Sequence, residues 1–309
     1  MAHDSSRSPA SGPESQQPPP FPPVLVLAAA VVAFSWAGPL VRFTDAAALA
    51  VSAWRLLFSV AFVAAMLAFR PDSRRALAGL GLRDLGLALA AGACLALHFW
   101  SWIASIDYTT VASSVVLVST QPLWVAVISA AFLREIPRRG EWVGLGVAVL
   151  GAAWIGWGDM ALGPQALLGD ALALGAAFLA AAYYSIGRAL RPKLDLWSYV
   201  ALVYGMAALI LLGLVLATPG VPLVRGYGAV DWAVFVALAA GPMMIGHTGV
   251  NYALRYLRAY MANLAVLGEP VGATLIAWLL PAIGERPGPS LLGGGFLILV
   301  GVALTLRAR

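Results

Sequence analysis

Arg55, His98, His247 and Glu269 carry most of the chemistry this sequence has to offer, because each stands inside a long apolar run. Ionisable groups in such surroundings are costly and usually face a cavity or a partner. Arg55 offers a fixed cation for a substrate carboxylate. It would serve equally as a structural cation paired with Glu269 or with helix carbonyls. Glu269 directly precedes Pro270. A buried carboxylate there is a candidate coupling group that takes up and releases a proton, or it satisfies the backbone that the proline disturbs. His98 and Trp102 lie four residues apart, as do His247 and Asn251, so each pair shares one helix face. Ser101 and Ser105 stand beside the first pair.

Other chemistry finds little support. Cys94 is the single cysteine, and the histidines have no third ligand at a sensible spacing, so neither a disulfide nor a metal site is expected. Gly156-Trp157-Gly158-Asp159 superficially matches the glycine-aspartate signature of intramembrane aspartyl proteases. Asp159 falls at the end of an apolar run, however, and no second aspartate stands mid-run to share its proton. Neither a zinc-helix pattern nor a serine elbow is present, and no glycine loop fit to hold phosphates. An enzyme is not expected, nor is a cofactor.

The elements that must position these residues follow from composition. The chain has 309 residues, 61% hydrophobic and 11% charged, against about 25% charged in soluble domains. Apolar runs long enough to cross a hydrocarbon layer of roughly 30 Å recur along it. They span about 24–43, 47–69, 84–106, 110–133, 141–158, 170–190, 196–217, 231–254, 259–281 and 289–307. Helix is the state that satisfies every backbone group in lipid, which predicts an all-α integral membrane fold of ten transmembrane helices. Asp45, Asp84, Asp170, Asp195 and Asp231 are candidate N-caps. The Ser/Pro/Gln-rich residues 1–22 read as a disordered cytoplasmic tail.

The cations set the expected orientation. With the N terminus inside, fifteen Lys and Arg fall on the cytoplasmic side against three (Arg42, Arg225 and Arg286) outside. That asymmetry predicts both termini in the cytoplasm and reads better as a topology signal than as a nucleic-acid surface. The chain also repeats: Gln121-Pro122 matches Glu269-Pro270, His98 matches His247, Gly144 matches Gly294 and Gly151 matches Gly301, at offsets of 148 to 150. Five spans per half means the halves, 24–158 and 169–307, are inverted, with a site expected near the midplane between them. Trp36, Tyr183 and Tyr184 fall in repeat-related spans one and six, as cavity lining or as ordinary packing. The spaced glycines mark small-residue faces for close helix packing.

These features resemble the drug/metabolite transporter superfamily, specifically its EamA-type members with two tandem repeats. The resemblance rests on Trp54-Arg55, on Ala253-Leu254-Arg255-Tyr256, on Leu267-Gly268-Glu269-Pro270, on Glu135 and Glu285, and on the glycine-rich fifth and tenth spans. It covers about residues 24–307. The sequence departs from the family at Ala104-Ser105-Ile106-Asp107-Tyr108, where Ala-Leu-x-Tyr is usual. The resemblance implies a secondary transporter in the cell inner membrane, moving a small metabolite or drug-like molecule by alternating access, with export favoured. Uptake by the same fold, or a non-transporting scaffold or receptor, are the alternatives. The expected cavity residues are Trp36, Arg55, His98, Trp102, Gln121, Tyr184, His247, Asn251 and Glu269. The expected partners are the lipid bilayer and a small-molecule substrate, with a homodimer left open.

Overall fold

The structure, a computed structural model, describes residues 19–133, 138–187, 190, 193–253, 256 and 265–307. The helices are α1 (Pro23–Ser35), α2 (Ala37–Val41), α3 (Ala48–Ala68), α4 (Pro71–Ala78), α5 (Leu82–Tyr108), α6 (Val111–Val118) and α7 (Gln121–Leu133) in the first half. They continue as α8 (Arg139–Asp159), α9 (Pro164–Gly187), α10 (Leu196–Ala217), α11 (Ala229–Leu238), α12 (Thr248–Ala253), α13 (Gly268–Leu279) and α14 (Pro289–Arg307). Among the described residues, nine stretches are long and apolar enough to cross a membrane. The expected ninth span, 259–281, begins outside the described residues and is represented by α13. The all-helical membrane fold anticipated from composition is therefore the fold observed.

Four spans are interrupted among the described residues: the first is split at Trp36 into α1 and α2, and the other three break at or near a proline. α6 ends at Val118 and α7 restarts at Gln121, which puts Pro122 in a first turn, where its missing N–H is tolerated, rather than in a helix interior, where it is not. At the break the Leu117 carbonyl accepts from both the Thr120 hydroxyl at 2.7 Å and the Thr120 amide at 3.1 Å. At the repeat-related place, α13 starts at Gly268, two residues before Pro270. Between α11 and α12 the backbone widens into a π-helical segment, Ala239–His247, which contains Pro242. Such wide turns recur at functional sites, and this one ends on His247.

The two halves are clamped by α8 and α14. A Cβ on Gly151 would lie 2.5 Å from the Gly294 carbonyl oxygen, and one on Gly301 2.5 Å from that of Gly144. Only hydrogen fits there. The small-residue faces read from spacing meet each other, antiparallel, with the first glycine of one helix against the last of the other.

The N-cap expectations need correction. Asp195 caps α10, accepting from Trp197 N at 2.9 Å and Ser198 N at 3.3 Å. Asp84 and Asp231 sit inside the first turns of α5 and α11, where Asp84 pairs with Lys193 at 2.7 Å and Asp231 accepts from Gly228 N at 2.8 Å. Asp45 precedes the N-cap of α3, which is Ala47. Asp170 lies well inside α9, because Pro164, suited to a first helical position, starts that helix earlier than its apolar run. Gly163, at φ 109°, makes the turn that precedes it.

Candidate functional site

A cavity of about 240 Å³ lies among the broken helices, between the two halves. Its lining runs from the middle of the bundle toward the end that carries the helix ends Pro23 and Arg307. Eight of the nine residues singled out from sequence line it: Arg55, His98, Trp102, Gln121, Tyr184, His247, Asn251 and Glu269. Trp36 does not. It sits at the junction of α1 and α2 and is 40% exposed, so its neighbours Phe34 and Ala37 face the cavity instead.

Arg55 is the most consequential of these. It is 1% exposed, and its guanidinium carbon lies 4.1 Å from the ring centroid of Phe99 and 5.7 Å from that of Trp102. The ring faces attract the cation. The ion pairs among the described residues are Arg42–Glu285, Arg75–Asp72 and Lys193–Asp84, so no described carboxylate oxygen lies within 4.0 Å of Arg55. The pairing with Glu269 that the sequence allowed is therefore not made, although both residues line one cavity. The Arg55 Nε and Nη1 atoms and Trp102 Nε1 are buried without a hydrogen-bond partner, as is Ser185 Oγ. Each is a donor facing or adjoining the same space. Unpaired buried donors are costly, about 1–3 kcal/mol each and more when charged.

The two histidines approach from opposite halves. His98 Nδ1 lies 2.8 Å from the Ala176 carbonyl oxygen. A carbonyl can only accept, so Nδ1 carries the hydrogen and Nε2 of the neutral ring is left as an acceptor. His247 Nδ1 lies 3.4 Å from the Tyr184 hydroxyl, and the Asn251 amide donates to the His247 carbonyl at 3.0 Å. Phe99 joins them: its ring stands edge-on to His247 at 5.3 Å and tilted against His98 at 4.9 Å. Phe34 meets His247 edge-on at 4.8 Å. Sequence reading missed Phe34, Phe99, Ser185 and Tyr199 as lining. Phe99 adjoins His98, but apolar neighbours in a span look alike until packing distinguishes them.

The opposite end of the bundle is closed by a polar network. Arg42 donates through Nη2 to Glu285 Oε1 and to the Thr109 carbonyl, both at 2.9 Å, and Glu285 Oε2 accepts from Val111 N at 2.8 Å. Thr44 Oγ1 donates to Asp231 Oδ1 at 2.5 Å. Glu285, one of the residues on which the family resemblance rests, thus ties the loop before α14 to the end of α2 and the start of α6. Glu135 and Arg255, two others of them, lie outside the described residues. Asp159 and Asp170 stand at this end as well, each 3.2 Å from Thr109 Oγ1. No group of three or more metal-binding side chains occurs among the described residues.

Comparison with known proteins agrees with this architecture. The fold is similar to a solved chain described as "Crystal structure of protein", with a TM-score of 0.62 at 20% identity, covering 93% of this chain and 98% of that one. No curated protein matches the sequence. The EamA-like transporter family matches residues 22–157 and 167–307, one match for each half. With membrane-spanning helices built as two such repeats, the chain belongs to the EamA-like transporter family.

Proposed function

We propose that this membrane transporter is a secondary carrier moving a small zwitterionic, amphipathic metabolite or drug-like molecule by alternating access, in the direction of export. The supporting observation is the separation of Arg55 and Glu269, two opposite charges on one cavity with no ion pair between them. Arg55 is buried and Glu269 partly so, and with no contact between them each has its hydrogen-bonding capacity open toward the cavity. A substrate with an anionic group at Arg55 and Trp102 and a cationic group at Glu269 supplies both partners at once. Its apolar body would lie against Phe34, Phe99 and Tyr184.

Glu269 doubles as the coupling group in this reading, because a substrate cation and a proton compete for one carboxylate. The charge asymmetry of the loops supports an inner membrane location with both termini cytoplasmic. The cavity would then face the cytoplasm, the loading side for export.

Binding to the purified protein tests the substrate class. Three compounds sharing one aromatic body are compared by calorimetry: the zwitterion, its decarboxylated amine and its N-acylated acid. Tightest binding of the zwitterion is expected, weakened by Arg55→Ala and by Glu269→Gln. Equal binding of all three would overturn the assignment.

A further inference from the structure

At the closed end, Thr109 Oγ1 lies 3.2 Å from Asp159 Oδ2 and 3.2 Å from Asp170 Oδ1. A hydroxyl has a single hydrogen. It can donate to one of these carboxylates only. Were both ionised, the second contact would set a charged oxygen against a hydroxyl lone pair. It becomes a hydrogen bond when that second acid carries a proton and donates it to Thr109.

The surroundings point the same way. Asp159 is 8% exposed and Asp170 6%. Asp170 Oδ2 is buried with no hydrogen-bond partner. A Cβ added at Gly156 on α8 would still lie 3.9 Å from it, so that backbone supplies no partner. Two buried charges of one sign, with no cation to offset them, are strongly disfavoured. The charged groups on the elements packed around the pair are otherwise engaged or exposed. Arg42 is held by Glu285 and the Thr109 carbonyl, Asp107 on α5 is exposed, and Arg286 lies in the loop with Glu285. Neither aspartate belongs to an ion pair among the described residues. From α14 the neighbour of α8 here is Ser290, against Gly158.

We propose that Asp159 and Asp170 hold one proton between them at Thr109, forming a proton-binding site at the closed end of the bundle, separate from the central cavity. It stands apart from the substrate assignment, since none of the three residues lines the cavity. Thr109 links the site to the closure: its side chain meets the two acids while its carbonyl accepts from Arg42. Loss of the proton leaves two like charges beneath that link and favours opening of this end.

Infrared difference spectroscopy on the purified full-length protein tests this. The spectrum of the parent minus that of Asp170→Asn at neutral pH should contain the carbonyl band of one protonated carboxyl. The band should fade at alkaline pH, recur when Asp159→Asn replaces Asp170→Asn, and persist when both proteins also carry Glu269→Gln. A difference spectrum with ionised-carboxylate bands alone would overturn the proposal. Thermal melting supplies the second readout. The parent should lose stability as pH rises through the alkaline range, and Asp170→Asn should lose less; parallel curves would contradict the shared proton.

Discussion

The guanidinium carbon of Arg55 lies 4.1 Å from the centroid of Phe99, and no described carboxylate lies within 4.0 Å of the cation. An aromatic face orients a guanidinium but leaves its N–H groups unspent. The nitrogens Nε and Nη1 have no acceptor.

Arg55→Lys should therefore weaken substrate binding although the charge is kept. Lysine lacks the planar fork and stacks less well on Phe99. Loss of one charged hydrogen bond, about 1.5–3 kcal/mol, corresponds to roughly tenfold or more in Kd. Calorimetric titration of the variant reads it, and unchanged affinity would remove Arg55 from the site.

Gly151→Val should destabilise the clamp between α8 and α14. Its Cβ would meet the Gly294 carbonyl oxygen at 2.5 Å and Ile298 N at 2.9 Å, both backbone atoms that cannot rotate away. Overpacking of this kind costs about 1–3 kcal/mol. Gly146→Val on the same helix, with open space at its Cβ, should melt close to the parent.

Asp195→Ala should lower stability by about 1 kcal/mol through loss of the α10 cap. Partial burial alone would raise this carboxyl, but hydrogen bonds from the Ser198 hydroxyl and amide, Trp197 N and the Ser73 hydroxyl outweigh it and hold it below its ordinary value. A carboxyl lowered in the fold contributes stability above its unfolded value of about 3.9, and loses it as pH falls through the folded value. The gap between parent and variant in thermal melts should accordingly be full near neutrality and shrink below about pH 4.

How far the sequence carried the site can be judged residue by residue. Gln121-Pro122 and Glu269-Pro270 were legible as repeat-related breaks because proline lacks the N–H that a helix interior needs, a local effect. His98 and His247 were legible because a polar ring inside an apolar run has few other reasons to be there. Trp36 was misjudged because an aromatic in a span packs against lipid as readily as against a cavity. The π-helical segment had a signal in Gly241-Pro242, but the width of a turn depends on what packs around it. Asp170 was read as a cap since it begins its apolar run, whereas its contact with Thr109 joins residues 61 apart in sequence. Periodicity cannot reach across such a separation.

The closure by Arg42 and Glu285 should be breakable. The pair is partly exposed, at 32% and 16% of the two side chains, so the ion pair itself is worth about 0–1 kcal/mol. Glu285→Ala also frees Val111 N. In a Cys94→Ala background, Ser119→Cys in the cavity should react with a membrane-impermeant thiol reagent from the side bearing the termini. Adding Glu285→Ala should open it to the opposite side. Ala161→Cys, between α8 and α9, should react from that opposite side throughout. Labelling of Ala161→Cys from the terminus side would reverse the topology.

Flux in proteoliposomes tests the central claim most directly. With an imposed pH gradient, the zwitterion should move faster than its decarboxylated amine or N-acylated acid. Arg55→Ala should abolish its movement, and Glu269→Gln should abolish gradient-driven flux while leaving exchange of labelled for unlabelled substrate. Gradient-driven zwitterion flux that persists in both variants at the parent's rate would contradict the account.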